Sequence, residues 1–135
     1  MSALDPLLRG IHAALITDPA LRKEVAGRVY DRVPDEAIFP YLTYGAATSR
    51  PLDAGGVELH ELRVHAWSRE RGRSELRRVL DALRNALTFQ AVEVTDHALP
   101  ALDCVSLELV DEPGEVEHGI AVVRAVTEPL EEATP

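Results

Sequence analysis

Five histidines, His12, His60, His65, His97 and His118, are the side chains best suited to hold a metal or pass a proton near neutral pH. A zinc enzyme would place two of them one helical turn apart, as in H-E-x-x-H, so that both imidazoles reach one ion, and no such pair occurs. His60 and His65 share a predicted strand, where a separation of five residues sends them to opposite faces. All five are read as surface or strand-edge histidines. Cys104 is the single cysteine, which excludes an intrachain disulfide and a thiolate metal cluster. Ser49, Ser68 and Ser106 sit in no G-x-S-x-G or S-x-x-K context that would activate a hydroxyl. Gly45, Gly55 and Gly56 match neither phosphate-cradling spacing and are read as turn residues. With 23 acidic side chains some carboxylates must lie close together, so a hydrolytic or two-metal site lacks a motif without being excluded. No cofactor is implied.

Charge narrows the partners. A net charge of −9 repels nucleic acid phosphates at long range, and the six aromatic residues are not interleaved with basic ones as in a single-strand platform. Lys23 is the one lysine among 14 basic residues, and Arg69, Arg71, Arg73, Arg77 and Arg78 fall within ten positions. Arginine is the preorganised partner for carboxylates at interfaces. Arg73, Arg77 and Arg84, with Asp81, line one stripe at helical spacing and face either water or another subunit. Trp67 stands on the polar face of its predicted strand, packed under a loop or placed at an interface centre. Arg50 and Asp53 flank the Gly/Pro/Asp-rich stretch from Arg50 to Gly56, a docking loop or a plain solvent loop.

The elements that must position these residues follow from periodicity. Asp5 reads as an N-cap and Pro6 as the first helical residue, with Leu7, Leu8, Ile11, Ala14 and Leu15 on one face. Asp18 caps a second short helix containing Pro19, Leu21 and Val25, with Gly27 as its left-handed stop. From Arg28 to Pro40 no period holds, which predicts a loop pinned by aromatic anchors. A strand from Tyr41 to Ser49, the turn Asp53-Ala54-Gly55-Gly56 and a strand from Val57 to Trp67 make a hairpin, with Leu62, Val64 and Ala66 on the buried side. Leu76, Val79, Leu80, Leu83, Ala86 and Leu87 give the clearest helix, between Arg71 and Phe89. Strands follow around Ala91 to Val94, through Val105, Leu107 and Leu109, and from His118 to Thr127. In the last, Ile120, Val122 and Val126 point one way and Ala121, Val123 and Ala125 the other, so it reads as covered on both faces.

The order predicts an α+β fold, an antiparallel β-sheet with an N-terminal helix and a central amphipathic helix packed on one face. The 135 residues suit one domain over 1–129 and an acidic C-terminal tail over 130–135. No apolar run approaches bilayer length, so the expected partners exclude a membrane and the chain is expected to be made and kept in the cytosol. On the residues alone, a small cytosolic hydrolase or metal-dependent enzyme with an unrecognised carboxylate site and a regulatory binding module stay open.

Three blocks in order resemble the tail-completion, or tail-terminator, family of long-tailed phages and gene transfer agents. They are Arg28-Val29-Tyr30-Asp31 with Val33-Pro34 and Phe39-Pro40-Tyr41; then Leu62 to Ser68, with His65-Ala66-Trp67-Ser68 leading into Gly72; then His118-Gly119-Ile120 through Arg124-Ala125-Val126-Thr127-Glu128. The resemblance implies a non-catalytic virion assembly protein at the head-proximal end of the tail. It further implies a homo-oligomeric ring, most often a hexamer, that caps the tail-tube protein and meets the head-completion or stopper protein, with double-stranded DNA passing through in transit. A ring needs two different surfaces on each subunit. The arginine stripe is a candidate for one of them, and charge reversal at Arg73 and Arg77 tests it.

Overall fold

In the computed structural model, which describes residues 2–52 and 54–130, helix α1 spans Leu4–Thr17, α2 Pro19–Val25 and α3 Ser74–Phe89. Each long helix buries one stripe at spacings of three and four residues: Leu7, Ile11, Ala14 and Leu15 in α1, and Leu76, Val79, Leu80, Leu83, Ala86 and Leu87 in α3. Asp5 is not the cap of α1, as the sequence suggested. It lies inside the first turn and pairs with Arg9 at 3.0 Å, while Ala3 holds the cap position. The free N–H groups at this end are met by Glu58, whose carboxylate accepts from Ala3 N–H at 2.7 Å, and by the Ser2 hydroxyl. Asp18 caps α2 as expected, accepting from Leu21 N–H at 2.9 Å, and Ala26 and Gly27 both take the left-handed conformation that ends it.

Five strands form one sheet in the order β1-β2-β3-β5-β4, with β1 at Val29–Tyr30, β2 at Tyr41–Pro51, β3 at Glu58–Ser68, β4 at His97–Val110 and β5 at Glu117–Pro129. The fold is α+β, and the sheet is mixed because β1 runs parallel to β2 while every other pair is antiparallel. β1 lies inside the stretch read as a loop. Two residues carry no periodicity, and their pairing with Leu42 and Thr43 is non-local. The expected aromatic anchors are there, with Phe39 and Tyr30 rings 4.9 and 5.9 Å from Tyr41. Residues 91–94 form no strand; Val94 makes an isolated bridge to His97, where β4 begins. β4 runs through Pro100, which a strand at the rim of a sheet tolerates because one side needs no donor.

Register separates the two faces of the sheet. Leu42, Ala66 and Gly119 are level, as are Tyr44, Val64, Ala121 and Leu107, and these residues point to the helices. With α1, α2 and α3 they build one core, in which Leu42, Val64, Ala66, Ala121, Val123, Leu76 and Leu83 are buried. On the opposite face Tyr41, Trp67, His118 and Val110 are level, followed by Thr43, His65, Ile120 and Glu108. No helix covers that face among the described residues, and Ile120, Val122 and Val126 are only half-buried. The reading of β5 as covered on both sides is therefore corrected: the chain covers one. The predicted acidic tail lies outside the described residues except for Leu130. Among the described residues no helix is long and apolar enough to cross a membrane.

Candidate interaction surfaces

The uncovered face has its most developed chemistry at the end where β2 starts and β3 stops. The Trp67 indole lies on the His118 imidazole with 3.9 Å between ring centres and 2° between planes, and its Nε1–H donates to Thr43 Oγ1 at 3.0 Å. His118 Nε2 and His65 Nδ1 share a hydrogen bond of 2.7 Å, and His118 Nδ1 meets a Glu112 carboxylate oxygen at 2.6 Å. In the neutral pair Nδ1–H of His118 donates to Glu112, so His65 Nδ1–H donates to His118 and His65 Nε2 is left as acceptor. That nitrogen lies over Gly45, where a Cβ would collide with the His65 ring. Burial, then the His118 and Arg63 charges, holds the His65 imidazole below its ordinary pKa. Beside the cluster Arg69 lies 4.5 Å over the Phe39 ring. The three sequence blocks singled out above thus meet at one end of the sheet: the first supplies Phe39 and Tyr41, the second His65 and Trp67, the third His118.

The arginines separate. Arg73, in the left-handed conformation at φ 62°, turns back on its own chain, donating from Nε to Glu117 at 2.8 Å and from Nη2 to Asp111 at 2.6 Å. It is a clamp between the start of α3 and the β4–β5 loop. Among the described residues exposed Arg77 has no ion pair, and Arg84 pairs only with exposed Asp81 at 3.0 Å. Arg50 is exposed near the end of β2, beside a hollow lined by Thr48, Leu59, Glu61 and Arg124. Asp53 lies outside the described residues. Among the described residues no hydrogen bond or ring contact joins Trp67 to these arginines, so the candidate residues form no single site.

Sequence reasoning missed His60, which is buried and bonded through Nδ1 to Ser49 Oγ at 2.6 Å and through Nε2 to Thr127 Oγ1 at 2.8 Å. The signal was present, because the alternation that buries Leu62, Val64 and Ala66 also buries His60 two residues earlier. His118 is buried as well, and only the pairing of β3 with β5 brings it to His65 and Trp67. A groove of about 450 Å³ runs between α1 and β2, lined by Leu8, His12, Ile16, Asp31 and Tyr44. Its Tyr44 hydroxyl bonds His12 Nδ1 at 2.8 Å, and burial, with the Asp31 charge, raises the phenol pKa. Burial likewise raises the Cys104 thiol, which keeps it protonated and a poor nucleophile. Among the described residues no three His, Cys, Asp or Glu side chains converge as a metal site would require.

Among the described residues one face of the sheet carries no helix, the β4–β5 loop is fastened by Arg73, and the polar side chains of the aromatic cluster bond to one another. Residues 9–128 match the family described as tail completion protein gp17, and the chain belongs to that family, whose members are structural components of the tail and not enzymes. The fold is similar to a chain in the virion of a native gene transfer agent particle, with TM-score 0.78 and 20% identity over 87% of this chain and 91% of that one. It is also similar to the gp17 protein of bacteriophage SPP1, with TM-score 0.60 and 20% identity over 97% of this chain and 93% of that one. No curated protein matches by sequence. The chain is a tail protein of a phage or phage-like particle.

Proposed function

We propose that the chain is a tail terminator: a subunit of a homo-oligomeric ring, hexameric in the expected form, that caps the tail tube and meets the head-completion or stopper protein. The match of residues 9–128 to the tail completion family carries this reading. The architecture agrees with it, because a cyclic ring needs two unlike surfaces on each copy, and the two rims of this sheet, β1 with β2 on one side and β4 on the other, differ in sequence and in cover. The charge of −9 per chain surrounds a channel with negative potential, which lets double-stranded DNA pass without gripping its phosphates. Arg77, exposed on α3 and without an ion pair among the described residues, is available to a carboxylate-bearing partner protein, and Arg84 would exchange exposed Asp81 for such a carboxylate. Particles assembled without this polypeptide test the reading. Tails of uncontrolled length that fail to join heads are expected, and supplying the chain in trans corrects both. Joined tails of normal length in its absence would overturn it.

A further inference from the structure

Each side of the sheet ends in a bare strand. Among the described residues β1 covers β2 only at Leu42 and Thr43, so from Tyr44 to Pro51 β2 has a neighbour on one side alone. β4 closes the other side, and none of its 14 residues is buried. Soluble proteins blunt such edges with lysines, yet β4 contains no lysine or arginine and exposes Val105 and Leu109.

We propose that the sheet continues across the subunit boundary, the outer edge of β4 in one copy adding to the bare stretch of β2 in the next. The inference rests on the ring reading and names its contact. Direction allows it: β3 is antiparallel to β2 and to β5, and β5 is antiparallel to β4, so β2 and β4 point opposite ways. Copies standing upright around an axis parallel to the strands therefore meet as an antiparallel pair, the more stable kind. Charge allows it as well. The charged residues of β4 are Asp103 and Glu108, while Arg50 is the single charged residue of the bare β2 stretch and has no ion pair among the described residues. Register puts Arg50 level with Leu59, Val126 and Ala101, one step from Asp103 on the same face. With neighbouring sheets level, the Arg50 and Asp103 side chains lie diagonally opposite, at about 7–8 Å, within reach of an arginine.

Apolar surface adds to the match. The groove beside β2 stands at the level of Tyr44, which the register carries through Val64 and Ala121 to Leu107 of β4. Val105 and Leu109 flank that position, so the neighbour's β4 brings apolar side chains to Leu8, Ile16 and Tyr44. The β4 register breaks between Ala98 and Ala101 and between Cys104 and Ser106, which confines the new ladder to short runs and opposes unlimited fibre growth. A β4-to-β4 contact would be two-fold and would close a dimer, using one rim and leaving the other bare.

The test measures the mass of the purified full chain over a concentration series. It compares the wild type with Val105→Lys, Arg50→Asp, Asp103→Arg and the charge-exchanged double variant, and thermal unfolding confirms that each folds. Each single variant is expected to raise the concentration of half-assembly by roughly tenfold or more, and the double variant to recover most of the loss. Rings that form equally well in every variant overturn the ladder and leave the ring reading intact. A wild type that stays monomeric up to millimolar concentration also overturns it, and the particle experiment then judges the ring reading alone. A two-copy species abolished by Val105→Lys and indifferent to Arg50→Asp overturns it in favour of β4-to-β4 pairing.

Discussion

The Trp67 indole and the His118 imidazole lie face to face, 3.9 Å between centres and 2° from parallel, although 51 positions separate them in the chain. The contact exists because β3 and β5 pair with Trp67 opposite His118. Trp67 is the one tryptophan, so its emission reports the charge of the ring beneath it. A proton entering the His65–His118 pair places a cation against the indole face. Burial holds the His65 imidazole below its ordinary pKa, so emission at fixed protein concentration is expected to fall on acidification below the usual imidazole range. In His65→Gln that change should disappear while the emission maximum shows the indole still partly shielded. An unchanged titration in the variant would mean that another group controls the fluorescence.

Buried His60 sets the pH dependence of stability. Burial lowers its pKa below the usual 6.5, with Glu58 opposing and His97 assisting, so the folded state favours the neutral ring. The unfolded chain takes up its proton near 6.5 and the folded chain only at lower pH. Stability is thus fully present above 6.5 and declines as pH falls below it, and His65 adds a decline of the same sign. Glu58 acts later. Its pKa is lowered chiefly by the bond from Ala3 N–H, so its contribution is lost as pH falls below the usual 4.5. Melting temperatures measured from neutral pH downward should show both stages. His60→Gln should melt lower at neutral pH and show a flatter first stage.

Gly10 should resist the substitution that normally strengthens a helix. Replacing a mid-helix glycine by alanine usually stabilises by about 1 kcal/mol. Here the Cβ would run into the backbone carbonyl of Glu93 and stand 3.2 Å from Val92 Cγ1, and a backbone carbonyl does not swing aside as a side-chain tip does. Gly10→Ala is expected to destabilise by about 1–3 kcal/mol, the range for overpacking. Denaturant unfolding measures it, and a midpoint equal to or above that of the wild type would contradict the close packing of α1 on residues 92–93.

What the sequence revealed and what it concealed divide along local and non-local contacts. The stripes of α1 and α3, the Asp18 cap and the hairpin of β2 and β3 are written in spacings within one segment, and they were legible. β1 depends on a parallel partner thirteen residues away and has no period of its own. β4 was harder still, since a strand at the rim with Pro100 and two register breaks loses the alternation that marks a strand. The His65–His118–Glu112 chain joins β3, β5 and the loop between β4 and β5, and no spacing in one sequence states which strands adjoin. Arg73 shows the converse. Helical spacing put it on the arginine stripe of α3, whereas the fold sets it just before the helix in a left-handed backbone, holding two carboxylates of its own chain.

That clamp yields the last prediction. Arg73 fixes Asp111 and Glu117, the two ends of the segment that also holds Glu112 against His118, so one guanidinium fastens the loop beside the aromatic cluster. Arg73→Ala should raise amide hydrogen exchange in residues 111–116 and leave the middle of α3 protected. Arg73→Lys should rescue little, because an ammonium lacks the planar fork that reaches both carboxylates. Arg73→Gly should lose the clamp yet melt above Arg73→Ala, since glycine accepts the φ of 62° that alanine does not. If Arg73→Ala left exchange across the loop unchanged, the two bonds would be ornaments on a loop held by its hairpin alone. Because Arg73 is engaged within its own chain, its charge reversal would loosen this loop whether or not α3 meets a partner. Arg77, exposed and without an ion pair among the described residues, is therefore the position whose reversal reads the outer face of the helix by itself.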